Sequence, residues 1–450
     1  MRKSQLRKSF RRVIVGFLAV AMIVSAMPTL FAVKEAQAVG NWYNTNWIYR
    51  KTITINHTQV PGSTNLVNFP VLINSTSPDW RTTSNGGRVV QSDGGDILFT
   101  LGDGLTKLDH EIESYTASTG ALSAWVKIPS LGATTNTTIY IYYGNSVDAA
   151  DQGNKNAVWT SDYGGVWHMA DSPAGNAPQG LDSTSNLSHS TTHGGMTSSQ
   201  HVAGKIGQGY NFDGTTDYMT PGNPNSLRIS GNTMTISTWV KVNGWPPAYV
   251  YPGIVAKTQP SNPHGGYQLI LNNEPNTPQS FTLNLENGWW RGVTSTSGKT
   301  TGAWYYVSAV YDGSNMRMYV NGSQEAITTG LSGNIQDIDS HFYIGRNPTQ
   351  WVYPYTNATL DETRVSNVAK SADWIATVYS NQNNPAAFYT IGTQQTVTTR
   401  RAIILESSGV TQVTEGGTTD QYTVKLNTKP ISNVTITAAS TAIGSVTSSL

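Results

Sequence analysis

From residue 233 to 242 the chain reads TMTISTWVKV, and its side chains fall into two sets. Met234, Ile236, Thr238 and Val240 share one side, while Thr235, Ser237, Trp239 and Lys241 share the other. A period of two is the mark of a sheet strand with two different faces. Similar short runs recur at 209–212, 253–257, 267–271, 281–285, 304–311, 316–320 and 342–345, divided by Gly, Pro and Asn. Asp312-Gly313 and Asn321-Gly322 bracket YDGSNMRMYVNG, and Asn-Gly between alternating runs is a strong hairpin signal. One helix is expected, over 372–379, capped by Ser371 and striped by Trp374, Ile375 and Val378.

A second series of runs precedes this one, at 41–56, 69–73, 96–100, 110–115, 124–128 and 138–143. Short strands at such spacing predict sandwiches, so the expected class is all-β with two consecutive β-sandwich domains. With 450 residues the chain is long enough for two or three domains. It has no cysteine, which excludes disulfide frameworks, thiol catalysis and thiolate metal sites. Stability then has to come from core burial.

Residues 1–38 hold seven basic side chains and one acidic one, leaving 21 basic against 26 acidic residues, a net of −5, in the rest. An acidic body repels phosphate backbones, so no nucleic-acid partner is expected. The basic run MRKSQLRKSFRR, the apolar stretch 13–33 and Ala36-Gln37-Ala38 together read as a secretory signal peptide cleaved after Ala38. The alternative is an uncleaved anchor, which Pro28 and the Ala-x-Ala site disfavour. The expected location is secreted or cell-surface, with no membrane insertion after cleavage.

In 41–155 the segments WIYRKTITI, GGDILFT, LDHEIESY, AWVKIP and IYIYYGN resemble a bacterial and archaeal surface-domain family of uncharacterised function. Alternation puts Glu111 and Glu113 on one face of a strand and His110 on the other, the charged pair reading as a wet side. In 158–395 the ordered series GVWHM, LDSTSN, GKIGQGYNFDGTTDYM, TISTWVKV, WYYVSAVYDGSNMRMYVNG, FYIG and LDETRVSNVAKSADWI resembles bacterial laminin-G-like domains. That resemblance implies a concanavalin A-like jelly roll that binds ligands, often glycans, often with Ca2+. The carboxylates it offers to calcium are Asp182, Asp213 and Asp361, with Asp217 and Glu362 nearby. Asp213-Gly214 also reads as a plain turn, and Glu362 as a solvated strand residue.

Three loop-like segments, GWPPAYVYPG, NGWWRG and PTQWVYPYTN, concentrate aromatics beside Pro, Asn and Gln. Trp245, Tyr251, Trp289, Trp290, Trp351 and Tyr353 are the candidate ligand-binding residues, because flat rings suit the C–H faces of sugars. The alternative is that they fold back over the sheet edges. His189, His193 and His201 fall in a Ser/Thr/Gly-rich stretch and read as exposed.

After a polar linker at 396–401, the segment VTEGGTTDQYTVKLNTKP within 402–450 resembles the start of a Calx-β-like repeat, a truncated Ig-like sandwich. No Glu-x-Asp-x-x-Glu, Gly-x-Ser-x-Gly, His-Glu-x-x-His or phosphate-loop motif occurs. The expected function is therefore a non-catalytic binding or adhesion protein for carbohydrate or a glycosylated partner. A structural envelope component, or an accessory module of a larger glycan-active enzyme, is the alternative.

Overall fold

The computed structural model describes residues 41–148, 150–259, 265–285, 291–350, 352 and 354–397, with the backbone alone for 30–31, 286, 290, 402–406, 422–426, 435–440 and 444–449. Two units result. One comprises Asn46–Thr396; the other comprises Met1–Thr45 with Val397–Leu450. In the latter, Ala402–Glu406 pairs with Tyr422–Leu426, and Thr435–Ser440 lies between Leu30–Phe31 and Gly444–Ser449. The rest of 1–40 and 398–450, where a signal peptide, the end of the linker and a Calx-β-like repeat are expected, lies outside the described residues.

The Asn46–Thr396 unit holds both sandwiches. In the first, Leu66–Thr76, Ala121–Leu131 and His110–Thr116 form one sheet. The facing sheet runs Tyr389–Ile391, Tyr49–Ile55, Thr137–Tyr143, Leu98–Leu101, Lys107–Leu108, with Gln395–Thr396 also on the 49–55 strand. Residues 389–395, expected at the end of the second module, and Thr396, expected in the linker, therefore complete the first. Between the sheets Ile53, Phe69, Val71, Phe99, Val126 and Ile139 are fully buried.

The second module is a two-sheet jelly roll. One sheet has the order His201–Ala203, Gln208–Asp213, Asn357–Ser366, Met234–Val242, Trp304–Tyr311, Met316–Val320, Ser323–Thr328, and Tyr163–Trp167 also pairs with the 357–366 strand. The other has the order Thr191–His193, Tyr218–Gly222, Phe342–Ile344, Gly253–Thr258, Gly266–Glu274, Thr277–Glu286, Trp290–Thr294. Met234, Ile236 and Val240 face the core between them, as the alternation requires. Asn321 and Gly322 both take positive φ, 51° and 79°, in the two-residue turn predicted there.

Trp239, on the opposite side of its strand, belongs to a different cluster. It packs with Tyr306, Ile375 and Val378 in the apolar set that includes the first sandwich's core. The helix Ala372–Asn383 mediates this. Ser371 caps it by accepting from the Trp374 N–H at 3.1 Å. Trp374 packs on Phe69, ring centroids 4.7 Å apart, and Asn381 bonds both the N–H and the C=O of Leu72. On its other side Gln382 accepts from the Trp239 indole at 2.5 Å. The helix thus fastens the jelly roll to the first sandwich.

Candidate functional site

The outer face of the seven-stranded sheet carries a groove of about 440 Å³. Leu269, Leu271, Phe281 and Leu283 point inward to the core, so the residues between them point out. Cross-strand pairing sets Tyr343, Ala256, Gln268, Asn284 and Gly292 in one row across the sheet. Asn272, Thr282, Thr294 and Glu274 fill the neighbouring rows, and Tyr251, Asn347 and Gln350 close the wall. The lining is mostly amides and hydroxyls. Thr282 and Thr294 bond each other at 2.9 Å, and Asn347 Nδ2 donates to the Tyr251 carbonyl at 2.8 Å. Gln268 Oε1 is buried without a partner, an acceptor that a ligand hydroxyl can satisfy.

Tyr251 donates its hydroxyl to Glu274. Burial, that hydrogen bond and the Glu274 charge push its phenol up to about 12. At the other end of the row lies a ring cluster. Tyr343 and Tyr218 are 5.8 Å apart, His193 stacks on Tyr218 at 4.5 Å, and Arg346 lies over Tyr218, Tyr343 and Tyr355 at 5.0, 5.3 and 5.6 Å. His189 and His193 are half-buried rather than exposed, and His189 Nδ1 accepts from the Asp182 N–H.

Of the aromatic candidates, Tyr251 lines the groove and Trp245 does not. Trp245 lies against the core, 5.8 Å from the Phe281 ring, in the covering role. Trp290 opens the edge strand Trp290–Thr294 beside the groove. Its side chain, together with Trp289, Trp351 and Tyr353, lies outside the described residues.

The aspartates proposed for calcium sit in three separate hydrogen-bonding roles. Asp182 accepts from the N–H groups of Val166, Thr184 and Ser188 and from the Thr184 hydroxyl. Asp213 organises a turn, accepting from the N–H groups of Thr215, Thr216 and Asp217. Burial opposes its ionisation, but these bonds outweigh it and hold the carboxyl low. Asp361 accepts from Lys205 and Ile206 N–H on Oδ2, while its Oδ1 has no partner. Gly204 allows this approach, since a Cβ there would stand 2.7 Å from Asp361 Oδ2. Calcium needs six to eight oxygens around one point. Four hydrogen bonds use the lone pairs of Asp182, the turn amides with the Thr215 and Thr216 hydroxyls use those of Asp213, and among the described residues the three aspartates are not gathered around one point, so this set does not fit the ion.

A different acidic cluster lies where the two modules meet. Glu111, Glu113 and Glu362, expected on wet strand faces, are buried. Two β-bulges place them. The 110–116 strand slips between Ile112 and Ser114, so Ile112 and Tyr115 both pack on the first core and Glu113 is the extra residue. The 357–366 strand slips opposite Thr238, so Leu360 and Val365, five apart, both face the jelly-roll core. Glu362 takes a left-handed φ of 55° there. His168, which follows the 163–167 strand, stands between: Nδ1 is 2.8 Å from Glu362 Oε1 and Nε2 is 3.3 Å from Glu111 Oε2.

Indoles and a guanidinium complete the shell. Trp159 donates to Glu111 and Trp125 to Glu113, each at 2.8 Å. Arg364 donates to Glu362 at 2.6 Å and lies over the Trp125 and Trp159 rings at 4.4 and 4.6 Å. Burial alone would push the His168 pKa down, but Glu362 and Glu111 raise it well above the usual imidazole range. Burial likewise opposes ionisation of Glu111 and Glu362; the His168 charge and the hydrogen bonds outweigh it and lower both. For Glu113 the balance is reversed: burial and the Glu362 charge outweigh the His168 charge and the Trp125 hydrogen bond and push it up to about 8. Asp361 is raised by burial, then by Glu362 and Glu113.

Comparison with known proteins agrees with the jelly roll. The family described as the concanavalin A-like lectin/glucanases superfamily matches residues 213–376, and a domain of unknown function, DUF2341, matches 93–167. The chain thus carries a laminin-G-like domain preceded by an uncharacterised one. No curated protein matches the sequence. Among solved structures, domain 4 of AbnA, a GH43 extracellular arabinanase from Geobacillus stearothermophilus, in complex with arabinotriose, is similar at a TM-score of 0.38 and 16% identity, over 49% of this chain and 98% of that one. The binding domain of Paraclostridial Mosquitocidal Protein 1 is similar at 0.39 and 10%, over 62% and 75%. A heptameric SAP-like pentraxin from Limulus polyphemus is similar at 0.27 and 16%, over 34% and 71%.

Proposed function

We propose that this chain is a secreted or surface-held, non-catalytic protein that binds carbohydrate along the groove of the seven-stranded sheet. The observation that carries this reading is the lining. A row of amides and hydroxyls, with the unpartnered Gln268 Oε1 among them, ends in a tyrosine cluster. Sugar rings present hydroxyls at their edges and C–H groups on their faces, so amides read the edges and rings receive the faces. Among the described residues lining the groove, Glu274 is the one carboxyl, and it holds Tyr251. Glycosidases need two carboxyls flanking one bond, so this lining favours binding over cleavage.

Arg346 has no carboxylate partner among the described residues, and it puts a cation at one end of the row. Glycans bearing a uronic acid are therefore expected to be retained over their neutral counterparts. Because Asp182 and Asp213 already spend their lone pairs on hydrogen bonds, recognition is expected to survive a calcium-selective chelator.

A glycan array of the chain tests the reading. Selective retention is expected, and Asn284→Ala is expected to weaken it about 10-fold, the loss of one hydrogen bond worth about 1–3 kcal/mol in a desolvated site. The melting temperature should stay nearly the same, because half-exposed groups of this kind contribute about 0.5 kcal/mol or less to folding. A chain that retains no glycan, or an Asn284→Ala variant that binds as before, would sink the proposal.

A further inference from the structure

We propose that Glu113, His168 and Glu362 form a buried site for one first-row divalent metal ion, of the zinc or manganese class, at the junction of the two sandwiches. One ligand atom from each lies within 4.8 Å of the others. His168 Nδ1 faces Glu362 Oε1 at 2.8 Å and Glu113 Oε2 at 3.8 Å. Ligands about 2.0–2.2 Å from a common ion stand about 3–3.6 Å apart, so modest adjustment brings all three onto one centre.

Three further observations point to an ion rather than to a closed ion-pair network. Two carboxylate oxygens in the cluster, Glu113 Oε1 and Asp361 Oδ1, are buried with no hydrogen-bond partner. Unmatched acceptors in a dry interior are costly and call for a partner. Four carboxyls, those of Glu111, Glu113, Asp361 and Glu362, face two cationic side chains, His168 and Arg364. His168 and Arg364 give their hydrogen bonds to Glu111 and Glu362, and Glu113 and Asp361 receive none from either.

The surroundings also have the form of a metal's outer shell. Glu111 takes the other ring nitrogen of His168 at 3.3 Å, the carboxylate–histidine arrangement that fixes a ligand's tautomer. Trp125 and Arg364 hold one oxygen of Glu113 and of Glu362, respectively. Both carboxylate ligands are carried on bulges, one from each module, where a bulge re-aims a side chain out of its strand's alternation. An imidazole with two carboxylates favours zinc or manganese over calcium, which prefers an all-oxygen shell of six to eight ligands. The ion would then link the first sandwich to the jelly roll, a role independent of the glycan groove.

The test uses the full chain, stripped with a chelator, desalted, and titrated with Zn2+ or Mn2+ by calorimetry. One equivalent per chain is expected, retained through gel filtration, with a higher melting temperature. Glu113→Gln keeps the side-chain size and an oxygen for Trp125, and it is expected to lose at least 100-fold in affinity while its metal-free melting stays as in the parent. Glu111→Gln, acting through His168, is expected to lose about 10–100-fold. X-ray absorption of the zinc-loaded parent should give one imidazole and carboxylate oxygens at about 2.0–2.2 Å, a readout that needs no variant. The proposal is overturned if no ion is retained or if Glu113→Gln binds like the parent. A shell of several imidazoles, or calcium outcompeting zinc, would overturn it equally.

Discussion

Residues 41–155 expressed alone are expected to show no cooperative unfolding transition, whereas 46–396 melts as one unit. The first sandwich borrows its edge from the far end of the chain: Tyr389–Ile391 pairs with Ile53–Ile55 and Gln395–Thr396 with Tyr49–Arg50. Phe388 and Tyr389 are buried in the same core as Phe69 and Ile73. The Tyr389 hydroxyl bonds the backbone of Asn74, and Asn381 bonds that of Leu72. Cutting at 155 removes all of these. Each large apolar side chain lost is worth about 1.5–3 kcal/mol, and an unpaired strand edge and uncovered backbone groups add to that. Against a total stability of about 5–15 kcal/mol, such a loss removes most or all of the margin. Urea titration followed by tryptophan fluorescence decides it. A steep, reversible transition in 41–155 alone would mean that the first sandwich is complete without its returning strands.

This arrangement explains what the sequence could and could not disclose. Strands, the Asn321-Gly322 hairpin and the Ser371-capped helix are local, set by alternation, turn chemistry and a stripe, and all are found where expected. The pairing of residue 391 with residue 53 has no local cause, because a ladder leaves no mark on either strand's own pattern. A boundary at 395 rests on motif order, and motif order does not reveal which sheet takes a strand.

The acidic cluster departs from its strands' alternation for a related reason. Alternation assumes an unbroken ladder, and bulges at Glu113 and Glu362 break it. A signal was present nonetheless: LDHEIESY and LDETR concentrate carboxyls in strand-like segments of a chain that is only 12% charged. The groove was half legible. Alternation sets Gln268, Asn272, Thr282 and Asn284 opposite Leu269, Leu271, Phe281 and Leu283, but a wet face and a binding face have the same period.

Arg364→Met is expected to lower the chelator-treated protein's melting temperature by about 5–10 °C, although Arg364 touches no part of the groove. Arg364 is 3% exposed, with its guanidinium over the Trp125 and Trp159 rings and bonded to Glu362. Methionine fills much of that space but leaves a buried carboxylate with His168 as its remaining cationic partner. Breaking a buried pair from one side typically costs about 3–5 kcal/mol, because the surviving charge stays desolvated. The desolvated stacking on two indoles accounts for about 2 kcal/mol of this. Arg364→Lys should recover part of the loss, since it restores the charge but not the planar stack. Pairing Arg364→Met with Glu362→Gln removes the orphaned charge, so the double variant should melt above Arg364→Met alone, a coupling that independent sites would not show. If Arg364→Met melts within about 1 °C of the parent, or the two changes simply add, then the junction is held by the Trp239 and helix contacts, and the charged cluster contributes little to joining the modules.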